Sequence, residues 1–205
     1  MMKLYGFDTI NTLKVLMFLL ETNEEFEFVP INIRTGEQHN PEFLAINPAG
    51  KVPVLSDGNR HQTESNAILL SLATKTGWGS ASDPNVRDEL IAWLFYQAST
   101  QGPHLGQIEY WSKFAQTPNP DALAQHHVIA NRSIACLNAQ LNGKQYLCGE
   151  TYSIADIALF PWLHIHDHLG LSLEKAENLA GWLARIRNRR STKAACTFFG
   201  ASSIF

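Results

Sequence analysis

Asn47-Pro48-Ala49-Gly50-Lys51-Val52-Pro53-Val54-Leu55, read with Gln62-Thr63-Glu64-Ser65-Asn66-Ala67-Ile68-Leu69, decides the fold. Val52 to Leu55 is apolar and rich in β-branched side chains, the character of a strand. Pro53 lies where that strand begins and cannot donate to a ladder. Two readings stay open. Pro53 is an edge-strand proline behind a trans bond, or the Val52–Pro53 bond is cis. A cis bond turns the Val52 backbone outward, where its N–H and C=O can pair with an extended peptide. Asp57-Gly58 signals a hairpin into a short fourth strand, Arg60 to Gln62. The chain then enters a helix over 65–76 that ends near Gly77, with Glu64-Ser65 at the corner. Ser65 either caps that helix or, with the open N–H groups of a helix start, binds a carboxylate.

Working outward, Lys3 to Phe7 reads as a strand. Asn11 to Thr22 reads as a helix, free of Gly and Pro, with Leu13, Leu16, Met17 and Leu20 on one face. Val15, Phe18 and Leu19 make it apolar on a second side, so it should pack between a sheet and something else. Phe26 and Phe28 alternate with Glu25 and Glu27, a half-buried strand, and Pro30 marks an edge or a bulge. The order is β-α-β, then β-β-α. From Pro84 onward strand signals vanish. Helices are predicted over 88–114, bent at Gly102-Pro103, and over 121–141, 154–168 and 176–189. Ser153-Ile154-Ala155-Asp156 has the spacing of a capping box. A small α/β domain over 1–78 therefore precedes a Gly/Ser-rich linker over 79–86 and an all-helical domain over 87–205.

Composition narrows the function classes. The chain has 205 residues, 16 basic and 19 acidic, for a net charge of −3. That balance offers no cationic field for nucleic acid or a membrane surface. The apolar run Val15 to Leu20 is far too short to span a bilayer or serve as a signal segment. Cys136, Cys148 and Cys196 are odd in number and widely spaced, with no C-x-x-C, so the expectation is a reduced, cytoplasmic chain without a zinc site. They are expected to be inert core residues. His164 and His168 share a helix face but lack a third ligand, so no metal is expected.

The strand–helix order, N-P-x-G-K-V-P before a hairpin, E-S opening the next helix and S-I-A-D in a helical second half together resemble the cytosolic glutathione transferase family. The resemblance covers essentially the whole chain. Tyr5-Gly6-Phe7-Asp8-Thr9-Ile10-Asn11, Gly36-Glu37-Gln38, Gly102-Pro103-His104-Leu105-Gly106-Gln107 and Tyr152-Ser153-Ile154-Ala155-Asp156-Ile157-Ala158 are similar to the nu-class branch, bacterial disulfide-bond oxidoreductases. The resemblance implies a thioredoxin-like first domain with a mixed four-stranded sheet, a cis Val52–Pro53 bond and glutathione as co-substrate. It also implies a two-fold homodimer. Val52 would pair with the cysteinyl backbone of glutathione, and Glu64 and Ser65 would hold its γ-glutamyl end. Gln38, Lys51, Pro53 and Arg132 complete the implied binding set. Asp8 and Thr12 depart from the branch, which has proline and glycine there, and should reshape the loop around Thr9.

The chemistry can be judged independently. A free cysteine thiol has a pKa of about 8.5, so little thiolate exists at neutral pH. Thr9, Asn11 and the N–H groups of the first helix are donors placed to stabilise one. No cysteine precedes Cys136, so the nucleophile must come from glutathione itself. Tyr5 is either the rival donor or a core strand aromatic. Three functions compete: reduction of small disulfides by glutathione, conjugation of an electrophile or a related glutathione reaction, and non-catalytic binding. His104, Gln107, Glu109, Tyr110 and Trp111 either line the pocket for a small hydrophobic or disulfide second substrate or form an ordinary amphipathic face.

Overall fold

Strand β1 (Met2–Gly6) occupies an inner position of the sheet because its alternate residues Met2, Leu4 and Gly6 are buried. Helix α1 (Ile10–Glu21) carries the chain across to β2 (Phe26–Pro30), which pairs with β1 in parallel, Leu4 opposite Phe28. After the short α2 (Pro41–Ile46), β3 (Val54–Asp57) pairs antiparallel to β1, Leu4 opposite Leu55. β4 (Arg60–Gln62) returns beside β3, and α3 (Ser65–Thr76) follows. The sheet is mixed and four-stranded, in the order β2-β1-β3-β4. Pro30 ends an edge strand, where its missing donor costs nothing. Gly77 ends α3 at a φ of 74°, a left-handed cap that glycine adopts without strain.

Strand β3 begins at Val54, directly after Pro53, and the Val52–Pro53 bond is cis. Gly6 is required by contact rather than by φ. A Cβ there would lie 2.6 Å from the Thr12 methyl, so the end of β1 meets the first turn of α1 at closest approach.

The helical unit, residues 79–188, contains α4 (Pro84–Tyr96), α5 (Gly102–Glu109), α6 (Pro120–Gln140), α7 (Ile154–His164) and α8 (Glu177–Arg187). The single bent helix expected over 88–114 is instead α4, a π turn at Gln97–Gln101, α5 and a second π turn at Tyr110–Phe114. The first π turn admits Pro103, which has no N–H: Gly102 bonds back five residues to Gln97, and a Cβ on it would strike the Gln97 amide at 2.6 Å. The S-x-x-D signal forms its capping contacts. The buried Asp156 carboxylate accepts from the Ser153 N–H at 2.9 Å and its hydroxyl at 3.0 Å. It also accepts from Leu147 N–H at 2.9 Å and Trp182 Nε1 at 2.8 Å, joining α7, α8 and the loop between α6 and α7. Among the described residues no helix is long and apolar enough to cross a membrane.

The structure describes residues 1–200. Residues 189–200 pack with residues 1–78 rather than with the helical unit, unlike the expected 87–205 domain, whose last residues 201–205 lie outside the described ones. Helix α9 (Arg190–Cys196) lies on α1. Arg189 and Ser191 both bond the half-buried Glu21 carboxylate, and Phe198 stacks edge-on against Phe28 at 5.1 Å. α9 and α3 are the covers that the two-sided apolarity of α1 demands. Arg189 thus answers a specific carboxylate across the unit. Cys136 is exposed on α6, and Cys148 and Cys196 are half-buried, so the expected core cysteines are not core residues. Burial and the nearby Asp156 and Glu89 carboxylates push the Cys148 thiol up to about 12, which leaves it unreactive.

Candidate glutathione site on the first unit

Thr9 is the N-cap of α1, in extended backbone geometry, with its Oγ1 accepting from Thr12 N–H at 3.3 Å. The Thr9 and Thr12 hydroxyls lie 2.9 Å apart, and Thr12 Oγ1 also receives the Phe7 N–H at 3.4 Å. The first turn of α1 carries no acid, and Asp8 directly precedes its N-cap. Asn11, exposed on that turn, takes the Ser65 hydroxyl on its Oδ1 at 3.4 Å, which turns its NH₂ group away from Ser65. The heads of α1 and α3 therefore meet.

Ser65 is the first residue of α3 and makes no cap; Glu64 holds the N-cap position, also without a side-chain cap bond. The N-cap side chain therefore leaves the start of α3 uncapped, the setting in which helix termini take anions. Glu64 has φ 63° and ψ 109°, a strained conformation for a side chain with a Cβ, costing about 1–3 kcal/mol. Such strain is retained where a site needs the backbone turned that way.

Lys14 was not singled out from the sequence, and it is the largest electrostatic feature here. It is 1 % exposed, and its ammonium donates to Ser65 Oγ and Asn66 Oδ1, both at 3.2 Å. Burial lowers its pKa to about 7, with Glu64 pulling it upward. A lone lysine inside Leu13 to Leu19 was the available signal.

Gln38 packs beside the loop that leads to Val52: a Cβ on Gly50 would lie 3.2 Å from the Gln38 carbonyl. The buried Oε1 of Gln38 has no hydrogen-bond partner among the described residues, a polar atom placed for a ligand donor. Asn47 Nδ2 holds the Lys51 carbonyl at 2.7 Å, fixing the chain just before half-buried Val52, while the Lys51 side chain is exposed. Thr9, Asn11, Gln38, Lys51, Val52, Pro53, Glu64 and Ser65 all belong to the first unit; Arg132 stands exposed on α6 in the second. Tyr5 points elsewhere. Its ring lies 6.4 Å from Phe43 and lines a small cavity with Ile31, Glu37 and Ile46. In the second unit His104 and His126 face each other, Nδ1 to Nδ1 at 2.9 Å. His164 accepts from Arg187 Nε at 3.2 Å and is held near pKa 4 by burial and that cation. Among the described residues no group of three or more metal-type side chains forms.

A thioredoxin-like sheet with a cis proline, the adjoining heads of α1 and α3 and an all-helical second unit define a transferase-type glutathione protein. Residues 1–74 match the glutathione S-transferase N-terminal domain and residues 103–190 the glutathione S-transferase C-terminal domain, so the chain belongs to this family. It is 35% identical to the disulfide-bond oxidoreductase YfcG of Escherichia coli (strain K12), over 95% of this chain and 94% of that protein. Among solved structures, a glutathione transferase family member from Pseudomonas fluorescens with two glutathione molecules bound superposes with a TM-score of 0.88 at 30% identity. That match covers 95% of this chain and 91% of the other. A glutathione transferase from Pseudomonas putida, with one glutathione disulfide bound per subunit, also gives 0.88, at 28% identity, covering 95% and 90%.

Proposed function

We propose that this protein reduces small disulfides with glutathione. The observation that carries the reading is the head of α1: Thr9 and Asn11 stand there at a helix start with no acid in its first turn, and no cysteine precedes Cys136. Ser65, the uncapped start of α3 and the buried Lys14 charge hold the γ-glutamyl carboxylate. Val52, whose N–H and C=O have no partner among the described residues, pairs with the cysteinyl backbone. The sulfur then lies at the first turn of α1, where positive potential and two donors favour thiolate. That thiolate attacks one sulfur of a small disulfide. The S–S bond breaks, a glutathione mixed disulfide forms, and the other half leaves as a thiolate that takes a proton from water. A second glutathione thiolate attacks the glutathione sulfur of the mixed disulfide, giving glutathione disulfide and the second reduced thiol. Arg132, assigned to glutathione by the family resemblance, belongs to the same proposal, as does a homodimer, which sedimentation would test.

Turnover of 2-hydroxyethyl disulfide with glutathione, set against a chloronitrobenzene acceptor, is the deciding experiment. Rapid disulfide reduction is expected. Activity on the aromatic acceptor alone would make the protein a conjugating transferase, and neither activity would make it a binding protein.

A further inference from the structure

Thr12 is fully buried, and counting its donor and acceptors settles which hydroxyl of the Thr9–Thr12 pair gives the hydrogen. Each hydroxyl has one O–H to donate and can accept two bonds. Suppose Thr9 donated to Thr12. Thr12 Oγ1 would then accept from both Thr9 and Phe7 N–H, and its own O–H would be buried with no acceptor among the described residues. An orphaned buried donor is costly. In the reverse arrangement every group is satisfied. Thr12 donates to Thr9 and accepts from Phe7; Thr9 accepts from both the N–H and the O–H of Thr12. The acceptor capacity of Thr9 is then full, and its hydrogen is left for a partner other than Thr12. Thr9 is only partly buried, so that hydrogen has somewhere to go. Gly6 locks the device: the Thr12 methyl lies where a Cβ on residue 6 would be, which holds the Thr12 rotamer.

We propose that Thr12 is a positioning residue that turns the Thr9 hydroxyl hydrogen outward, toward the sulfur of bound glutathione. The inference rests on the proposed thiolate site and adds a residue to it. Thr12 touches no reacting atom; it fills the second acceptor site of Thr9 and so fixes the direction of the Thr9 hydrogen, which turns freely once the Thr12 hydroxyl is gone.

Thr12→Val keeps the shape and the methyl against Gly6 but deletes the hydroxyl. The test measures the thiol pKa of glutathione bound to wild type, Thr12→Val and Thr12→Ser, by thiolate ultraviolet absorbance against pH, alongside kcat and KM for the disulfide. Wild type should lower the thiol pKa below about 8.5. Thr12→Val should raise it by about one unit, the scale of one hydrogen bond to a charged group, and lower kcat more than it raises KM. Thr12→Ser should restore both. In a Thr9→Val background the Thr12→Val loss should overlap with the first loss instead of adding to it. If losing the Phe7 bond prevents Thr12→Val from folding, Thr12→Ala against Thr12→Ser answers the same question. A wild-type thiol pKa in Thr12→Val would overturn this inference and leave the proposed function standing. Wild type that binds no glutathione, or binds it without lowering the thiol pKa, would overturn both.

Discussion

Replacing Lys14 by methionine should change how stability depends on pH, in a direction and size set by its surroundings. The ammonium is buried beneath Ser65 and Asn66, and its pKa falls from 10.5 to about 7. The group binds its proton less tightly in the folded chain than in the unfolded one. At every pH between those values the unfolded state therefore holds more protons, and stability rises with pH. Below about pH 7 both states are charged, and the full cost of burying the ammonium is present: 3.5 units at 1.36 kcal/mol, or about 5 kcal/mol. Between about pH 7 and pH 9 wild type should recover about 2 kcal/mol of this. Lys14→Met carries no such term. It loses the bonds to Ser65 Oγ and Asn66 Oδ1, a cost of about 1–3 kcal/mol that does not vary with pH. Urea unfolding of both proteins over this window reads the difference directly, because all other titrations cancel. The wild-type midpoint should climb relative to the variant as pH rises. Two parallel curves would refute a buried, titrating Lys14.

Ser65→Ala should weaken glutathione binding by about 1.5–3 kcal/mol in calorimetry, the range for a hydrogen bond to a charged group; unchanged affinity would reduce Ser65 to a packing residue. Thr9→Ala and Asn11→Ala should each lose part of the disulfide-exchange rate and the double variant far more, with the bound thiol pKa moving back up. Tyr5→Phe should leave that pKa alone, and the opposite pattern would make this a tyrosine-type transferase. Asp156→Ala removes the acceptor of four bonds in a fully buried place, so about 3–5 kcal/mol of stability should vanish in thermal or urea unfolding. Arg132→Ala should lower glutathione affinity while leaving the melting temperature unchanged, because the side chain is exposed.

Local chemistry is what the sequence carries well. Asp57-Gly58, Gly77, Pro30 and S-I-A-D each act within a few residues, and each forms the turn, cap or edge expected. Pro53 shows the limit: residue identity leaves both isomers of its bond open, and the resemblance of the surrounding motif, not the dipeptide, points to the cis form that is present. The π turns escaped for a similar reason. They depend on how Gln97 and Gly102 pack around Pro103, which no periodicity records.

The order of strands and helices, the lack of a cysteine before Cys136 and the residue types at the heads of α1 and α3 are legible along the chain, because they follow from local side-chain chemistry. Only the tertiary structure decided which distant groups meet. Lys14 faces Ser65 and Asn66, some fifty positions on, and Glu21 faces Arg189 across almost the whole chain. The α9 segment falls within the expected 87–205 helical domain, yet it closes on α1, because an apolar helix with two faces to bury must find a second cover. The direction of the Thr9–Thr12 hydrogen bond belongs to the structure as well: it follows from burial and from a count of partners, and both exist only once the chain has folded.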